Sequence, residues 1–259
     1  MAEITNYDQG EFCWTELCST DANSAKNFYK QIFGWGYDDI PIGDGVTYTM
    51  AQVESKSACA LYSMDEELRK KNVPSNWLAY ISVTDADAMT AKAKTAGATI
   101  ITNPFDVMDV GRMAVLQDPT GATFAIWQPK KHAGAEIGGE TGTVCWRELI
   151  STNVDVAAKF YGTLFGWKPT VDTYGTFNYT TLKLGDEGIG GLMPPQSPNT
   201  PSQWVTCFIV DSASATVATT KKLGGTVYLD TMAIPGIGKY AVLADPQGAV
   251  FSVMEAENA

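Results

Sequence analysis

An α+β chain of two tandem domains is what this sequence predicts, and three observations carry the prediction. The first is an internal repeat: Phe12 to Trp35 returns 132 residues later as Val144 to Trp167, with 12 of 24 aligned positions identical. A repeat unit of that length is a domain, since solenoid repeats run at roughly 20–50 residues. The second is the order of patterns inside each copy, where alternating, strand-like runs surround short helical ones. The third is a polar, Gly-rich stretch between the copies, PKKHAGAEIGGET, without hydrophobic period. It reads as a linker over 129–141, leaving one domain at 8–128 and a second at 142–256.

Taken in order, residues 12–18 alternate as a strand. Strict alternation puts Phe12, Trp14 and Glu16 on one face and Cys13, Thr15 and Leu17 on the other. Ser19-Thr20-Asp21 breaks the strand and offers a helix N-cap. In the second copy Thr152 and Asp155 have the spacing of a capping box with a shortened acid. Ala25, Phe28, Tyr29, Ile32 and Phe33 recur at helical spacing, and Gly34 ends that helix. Strands follow at 47–53 and 57–62, then a charged connector at 63–76 with room for a helical turn. The order repeats with a strand at 77–83, a helix over 86–96 capped by Asp85 and ended by Gly97, and strands at 98–102, 112–117 and 123–128. Asp118-Pro-Thr-Gly121 is the turn between the last two. Trp204, Gly224 and Asp245-Pro-Gln-Gly248 are the second-half counterparts of Trp77, Gly97 and that turn. Each half is therefore two strand-helix-strands units.

Composition narrows the function. A chain of 259 residues with 45% hydrophobic and 18% charged residues is ordinary for a globular protein. The net charge of −11, with no basic stripe, argues against nucleic acid and anionic membranes as partners. No apolar run approaches the ~20 residues that span a bilayer. The first residues, MAEITNYDQGEF, lack the basic and apolar regions of a signal peptide. Five cysteines, without a CxxC, read as reduced, buried thiols. The expected compartment is cytoplasmic.

With these motifs in place the chain resembles the vicinal oxygen chelate superfamily of glyoxalases, bleomycin-resistance proteins and extradiol dioxygenases. The carrying features are the strand entering ST-D, the helix ending FY-x-x-x-FGW, the second helix ending in Gly-Ala or Gly-Gly, and the closing DP-x-G. They occur twice and cover nearly the whole chain, most like tandem members with a CW-x-EL first strand. The resemblance implies four βαβββ modules forming two glyoxalase/bleomycin-resistance-type domains, with helices outside and clefts inside, and with modules pairing within the chain or across a homodimer. It also implies where metal-dependent members carry their His and Glu ligands. Those positions fall here on Trp14, Leu78 and Ala125, with a fourth near Cys59-Ala60; in the second half they fall on Trp146, Val205, Ser252 and near Gly190-Gly191. None is His, Asp or Glu. The chain's one histidine, His132, lies in the linker. No metal or other cofactor is expected, a divalent metal being the less favoured alternative.

Aromatic side chains stand in place of ligands. By strand parity Trp14, Glu16, Tyr80 and Trp127 line the first cleft, and Trp146, Glu148, Cys207 and Met254 the second. The first is the more aromatic. An apolar pocket with a few polar groups suits a small, partly aromatic molecule. The opposing reading makes the tryptophans core that plugs a vacated metal site. Trp35 and Trp167 close a module end, and Trp77 and Trp204 pack on the helix side. Glu16 and Glu148 are either carboxylates hydrogen-bonded to a backbone N–H or a tyrosine, or general bases. Three functions stay open: a metal-independent binder, a glyoxalase-type lyase or isomerase using Glu16 or Glu148, and a scaffold with plugged clefts. Gly236-Ile-Gly238-Lys239 lacks Walker spacing, and Gly188-Ile-Gly190-Gly191 lacks the following helix of a dinucleotide site. Lys130-Lys131-His132 reads as solvated linker, and the Asp65–Lys71 run as a solvated turn able to flank a cleft mouth.

Overall fold

A computed structural model of the chain describes residues 3–43, 45–174 and 177–257. Met1 and Ala2, which open the stretch read above for a leader, lie outside them. The first domain runs β1 (Phe12–Ser19), α1 (Ala22–Phe33), β2 (Gly36–Gly43), β3 (Val46–Val53), β4 (Lys56–Ser63), α2 (Glu66–Lys70), β5 (Asn76–Ser82), α3 (Ala86–Thr95), β6 (Thr99–Val107), β7 (Gly111–Gln117) and β8 (Thr123–Pro129). The second runs β9 (Val144–Ile150), α4 (Val154–Phe165), β10 (Lys168–Tyr174), β11 (Phe177–Leu184), β12 (Glu187–Met193), β13 (Gln203–Ile209), α5 (Ala213–Lys222), β14 (Thr226–Ile234), β15 (Gly238–Ala244) and β16 (Val250–Ala256). Each domain is one eight-stranded sheet of two βαβββ modules, ordered β2-β3-β4-β1-β5-β8-β7-β6 and β10-β11-β12-β9-β13-β16-β15-β14. Both modules of a sheet come from the same half of the chain, joined by the antiparallel pairs β1–β5 and β9–β13.

The helices form where capping and periodicity agree. Asp21 accepts from the Ser24 N–H at 3.0 Å to start α1, and Gly34 ends it in the left-handed region. Asn153 is the N-cap of α4, bonded to the Val156 N–H at 3.1 Å, so the Thr152/Asp155 capping box is not used. β2 is an additional strand that the sequence reading left unplaced; its exposed side chains give little hydrophobic pattern to read.

The helices lie outside the clefts yet inside the molecule. The helix-bearing backs of the two sheets face each other, so α1 packs with α5 and α3 with α4. One buried cluster joins Phe28, Tyr29 and Phe33 of α1 to Phe208 and Phe251 of the second domain, and another joins Phe124 and Ile126 to Phe160 and Phe165 of α4. Burial of large aromatics on this scale contributes about 1.5–3 kcal/mol per side chain.

The repeated motifs meet across this interface. The Asp245 carboxylate holds its own turn through the Gln247 and Ala249 N–H groups, both at 2.9 Å. It also accepts from the Tyr29 hydroxyl of the other domain at 3.1 Å, and that hydroxyl accepts from Trp77 Nε1 at 3.0 Å. Trp204 donates likewise to Tyr161 at 2.8 Å, and Tyr161 faces Asp118. Trp35 donates to the Gly142 carbonyl and Trp167 to the Gly10 carbonyl, each at 2.8 Å. The FY and DP-x-G signatures therefore act as partners between domains. Among the described residues no helix is long and apolar enough to cross a membrane.

Candidate functional site

Each cleft lies on the face of its sheet away from the helices. In the first, Trp14, Ala60, Leu78, Tyr80, Ala125 and Trp127 form one buried cluster with Cys13. The positions that the resemblance equates with metal ligands thus converge on one spot. Cys13 belongs here because the β1–β5 register shifts between Phe12 and Trp14. That bulge overturns part of the strict alternation: Phe12 turns to the interdomain core, while Cys13 joins Trp14 on the cleft side. Past the bulge parity resumes, with Glu16 in the cleft and Leu17 in the core.

Glu16 is buried and fully paired. Its Oε2 accepts from the Tyr48 hydroxyl at 2.8 Å and its Oε1 from the Tyr80 hydroxyl at 2.5 Å. Tyr48 in turn accepts from Trp14 Nε1 at 3.0 Å. Burial raises the Glu16 carboxyl above the usual range, against the pull of both tyrosines. The tyrosine-bonded reading of this carboxylate holds.

The linker is not a free tether. His132 sets its ring edge-on to Trp14, 4.7 Å between centroids, and accepts from Trp127 Nε1 through its carbonyl at 2.8 Å. Ala135 N–H donates to the Cys13 carbonyl at 2.8 Å, and Glu136 exchanges bonds with Ser57, whose N–H reaches the Glu136 carboxylate at 2.7 Å. Tyr7 donates to the Ala135 carbonyl at 2.7 Å. Gly134 permits the close approach: a Cβ there would sit 2.3 Å from the Cys13 carbonyl oxygen, and its φ is +146°. Lys130 and Lys131 remain solvated, but His132 is partly buried, and burial lowers its pKa. The linker and His132 close the first cleft, leaving Trp14, Tyr80 and Trp127 at 4%, 2% and 5% exposure.

The second cleft repeats the frame with other contents. Trp146 Nε1 donates to the Tyr179 hydroxyl at 2.7 Å, and Tyr179 hydrogen-bonds the Glu148 carboxyl. Cys207 stands at the place of Tyr80, so the second tyrosine donor is missing. Glu148 Oε1 is sealed from solvent and, among the described residues, has no hydrogen-bond partner. Burial, against the Tyr179 bond, raises the Glu148 pKa to about 7. Trp146, Tyr179, Tyr240 and Met254 are partly exposed, and Cys207 is buried. Cys145 is exposed, so not all thiols are interior as the composition suggested.

The structure brings together all eight side chains singled out from sequence, four in each cleft. It adds Tyr48, Tyr179, Tyr240 and His132. The Tyr-Thr pair that recurs at 48–49 and 179–180 was the available signal for the first two; His132 had none, because its contact depends on the linker folding back. The metal-ligand positions hold indole, isopropyl, isobutyl and methyl groups, or a lone Ser252 hydroxyl. That donor set does not fit a divalent ion. Among the described residues no three His, Cys, Asp or Glu side chains cluster as a metal site.

Two eight-stranded sheets of paired βαβββ modules, each with a cleft on its open face, define a tandem glyoxalase-fold protein. The chain belongs to the Glyoxalase/Bleomycin resistance protein/Dioxygenase superfamily, whose model matches residues 12–126. It is 40% identical over 257 residues, 98% of both chains, to CFP32 of Mycobacterium tuberculosis, a protein provisionally named as a glyoxylase. It is 32% identical to the anthracycline biosynthesis protein DnrV of Streptomyces peucetius, over 97% of this chain and 95% of that one. In fold it resembles the Mn(II)-bound glyoxalase of Novosphingobium aromaticivorans, with a TM-score of 0.65, 17% identity, and coverage of 96% of this chain and 83% of that chain. The 2,3-dioxygenase LapB of Pseudomonas sp. KL28 gives the same TM-score at 13% identity, over 95% and 92% of the chains.

Proposed function

We propose that this protein is a metal-independent small-molecule binder whose second cleft takes a compact, partly aromatic ligand bearing a hydroxyl or amine donor. The observation that carries the reading is the orphaned Oε1 of Glu148, in a cleft with partly exposed Trp146, Tyr179, Tyr240 and Met254. A buried acceptor without a donor costs roughly 1–3 kcal/mol. In the first domain the Tyr80 phenol meets the equivalent need, so a phenolic ligand is the natural complement in the second. The DnrV relative is named for anthracycline biosynthesis, the making of a small molecule, which agrees with a small-molecule ligand. The ligand is a small molecule rather than nucleic acid or membrane, and the setting is cytoplasmic.

The test is a tryptophan-fluorescence titration of the full chain with 1-naphthol in the presence of a chelator. Saturable quenching is expected, lost in Cys207→Tyr and weakened in Glu148→Leu. Binding that needs added metal, or survives Cys207→Tyr unchanged, refutes the reading. The Glu148 pKa of about 7 favours a second reading, a glyoxalase-type lyase or isomerase with this carboxylate as base. Turnover abolished by Glu148→Gln but kept by Glu16→Gln would establish it.

A further inference from the structure

Outside both clefts, the N-terminal segment, the start of β1 and the second domain line an open pocket of about 320 Å³. Its walls include Ile4, Phe12 and Ile189, with Tyr7, Glu11 and Arg147 as polar members. Arg147 lies on β9 between Trp146 and Glu148, so it turns away from the cleft towards the first domain. Its guanidinium stands over the Phe12 ring, 4.8 Å from the centroid.

This cation is under-satisfied. Its Nε is sealed from solvent and makes no hydrogen bond among the described residues. Its Nη2 reaches the Trp14 carbonyl only at 3.4 Å. Among the described residues no carboxylate stands within ion-pair distance of it. Burial lowers its pKa to about 10, which still leaves it charged at neutral pH. Arg147 is itself partly exposed, so the unmet need lies at the buried Nε, and leaving such a donor unpaired is costly. The fold does not demand the group: the repeat-equivalent residue is Thr15, which satisfies itself on the Leu78 carbonyl at 3.1 Å and beside Thr206 at 3.3 Å.

We propose that this interdomain pocket is an anion site for a small carboxylate with an apolar tail, anchored on Arg147. The guanidinium fork matches a carboxylate in a bidentate manner, while Phe12, Ile4 and Ile189 cover the tail. Glu11 sets the limit on charge. Its Oε2 is engaged by the Asp8 N–H at 2.7 Å, but a carboxylate on the rim repels a second anion, so the site takes one negative charge rather than two. The site is independent of the second cleft, because Arg147 and Glu148 point to opposite faces of one strand.

Isothermal titration of the full chain with hexanoate tests it, with hexylamine as the control. Saturable hexanoate binding is expected with a Kd on the order of 1 mM, a normal value for so small a ligand. Hexylamine should not bind. Arg147→Met should weaken hexanoate at least tenfold while melting no lower than wild type, since it removes an unpaired charge. Arg147→Lys should keep part of the affinity, and Glu11→Gln should raise it. The proposal is overturned by absence of saturable binding, by hexylamine binding as tightly, or by equal affinity in Arg147→Met. If Arg147→Met does not fold, unchanged affinity in both Arg147→Lys and Glu11→Gln overturns it.

Discussion

The two clefts share a backbone frame and differ in the side chains that fill it, most of all at three facing positions. Tyr80, Met113 and Trp127 in the first are Cys207, Tyr240 and Met254 in the second. The first is a finished core: two tyrosines satisfy Glu16, and His132 closes on Trp14 and Trp127. The second keeps the Trp–Tyr–Glu chain but loses one donor, leaving Glu148 Oε1 alone. In one copy the shared frame is closed packing, while in the other Trp146, Tyr179 and Met254 stay partly exposed. The more aromatic cleft is the closed one, because indole and phenol rings supply volume as readily as they supply a ligand surface.

The largest expected break in this comparison comes from Trp127. Truncating a buried tryptophan to alanine costs about 3–5 kcal/mol. Trp127→Ala should lose that much in urea unfolding, whereas Met254→Ala, at a partly exposed site, should lose less than about 2 kcal/mol. Equal losses would mean that the clefts are packed alike.

The next effect depends on pH. The Glu148 pKa is raised from 4.5 to about 7 in the folded state, so the folded protein holds that proton more tightly than the unfolded chain. The associated stability is fully present below pH 4.5 and is lost as pH rises through about 7. At 1.36 kcal/mol per unit it amounts to about 3 kcal/mol. Glu148→Gln should remove this part of the slope, read as the difference between wild-type and variant unfolding free energies from pH 4.5 to 8. Parallel slopes would place Glu148 in a wetter setting.

A smaller change separates the two carboxylates directly. Tyr80→Phe leaves Glu16 with a single tyrosine, as Glu148 is, and should cost about 1–3 kcal/mol in chemical unfolding. The reciprocal Cys207→Tyr supplies Glu148 with a second donor and should raise Tm; a fall would show that Tyr240 already fills the space. The smallest effect concerns the closure. His132→Ala removes an edge-on aromatic contact worth about 0.5–1.5 kcal/mol. It should shift tryptophan emission to the red, and an unchanged spectrum would mean that the linker alone seals the first cleft.

Much of this molecule was legible in the sequence because much of it is local. Asp21, Gly34, Asp85 and Gly97 bound their helices through contacts a few residues away, and the 132-residue repeat reports the two domains without any geometry. Strand parity placed Trp14, Glu16, Tyr80 and Trp127 together, since alternation is a property of the backbone. It failed at Cys13, where a one-residue bulge changes the face and leaves no mark in hydrophobicity. The contacts of the linker were illegible for a related reason. PKKHAGAEIGGET has no period because it forms neither helix nor strand, yet its backbone bonds to Cys13 and Ser57 and lies over the cleft.

By itself, then, the sequence determined the duplication, the module order and the family, all of which depend on residue identity and short spacing. Only the tertiary structure decided which cleft is closed, where each Glu finds its donors, and that Arg147 lies under-satisfied beside an interdomain pocket. Those outcomes rest largely on residues far apart in the chain, such as Tyr48 on Glu16, 32 positions away, and Arg147 against Trp14, 133 positions away. Hydrogen-bond satisfaction and packing are settled in three dimensions, where sequence separation carries no information.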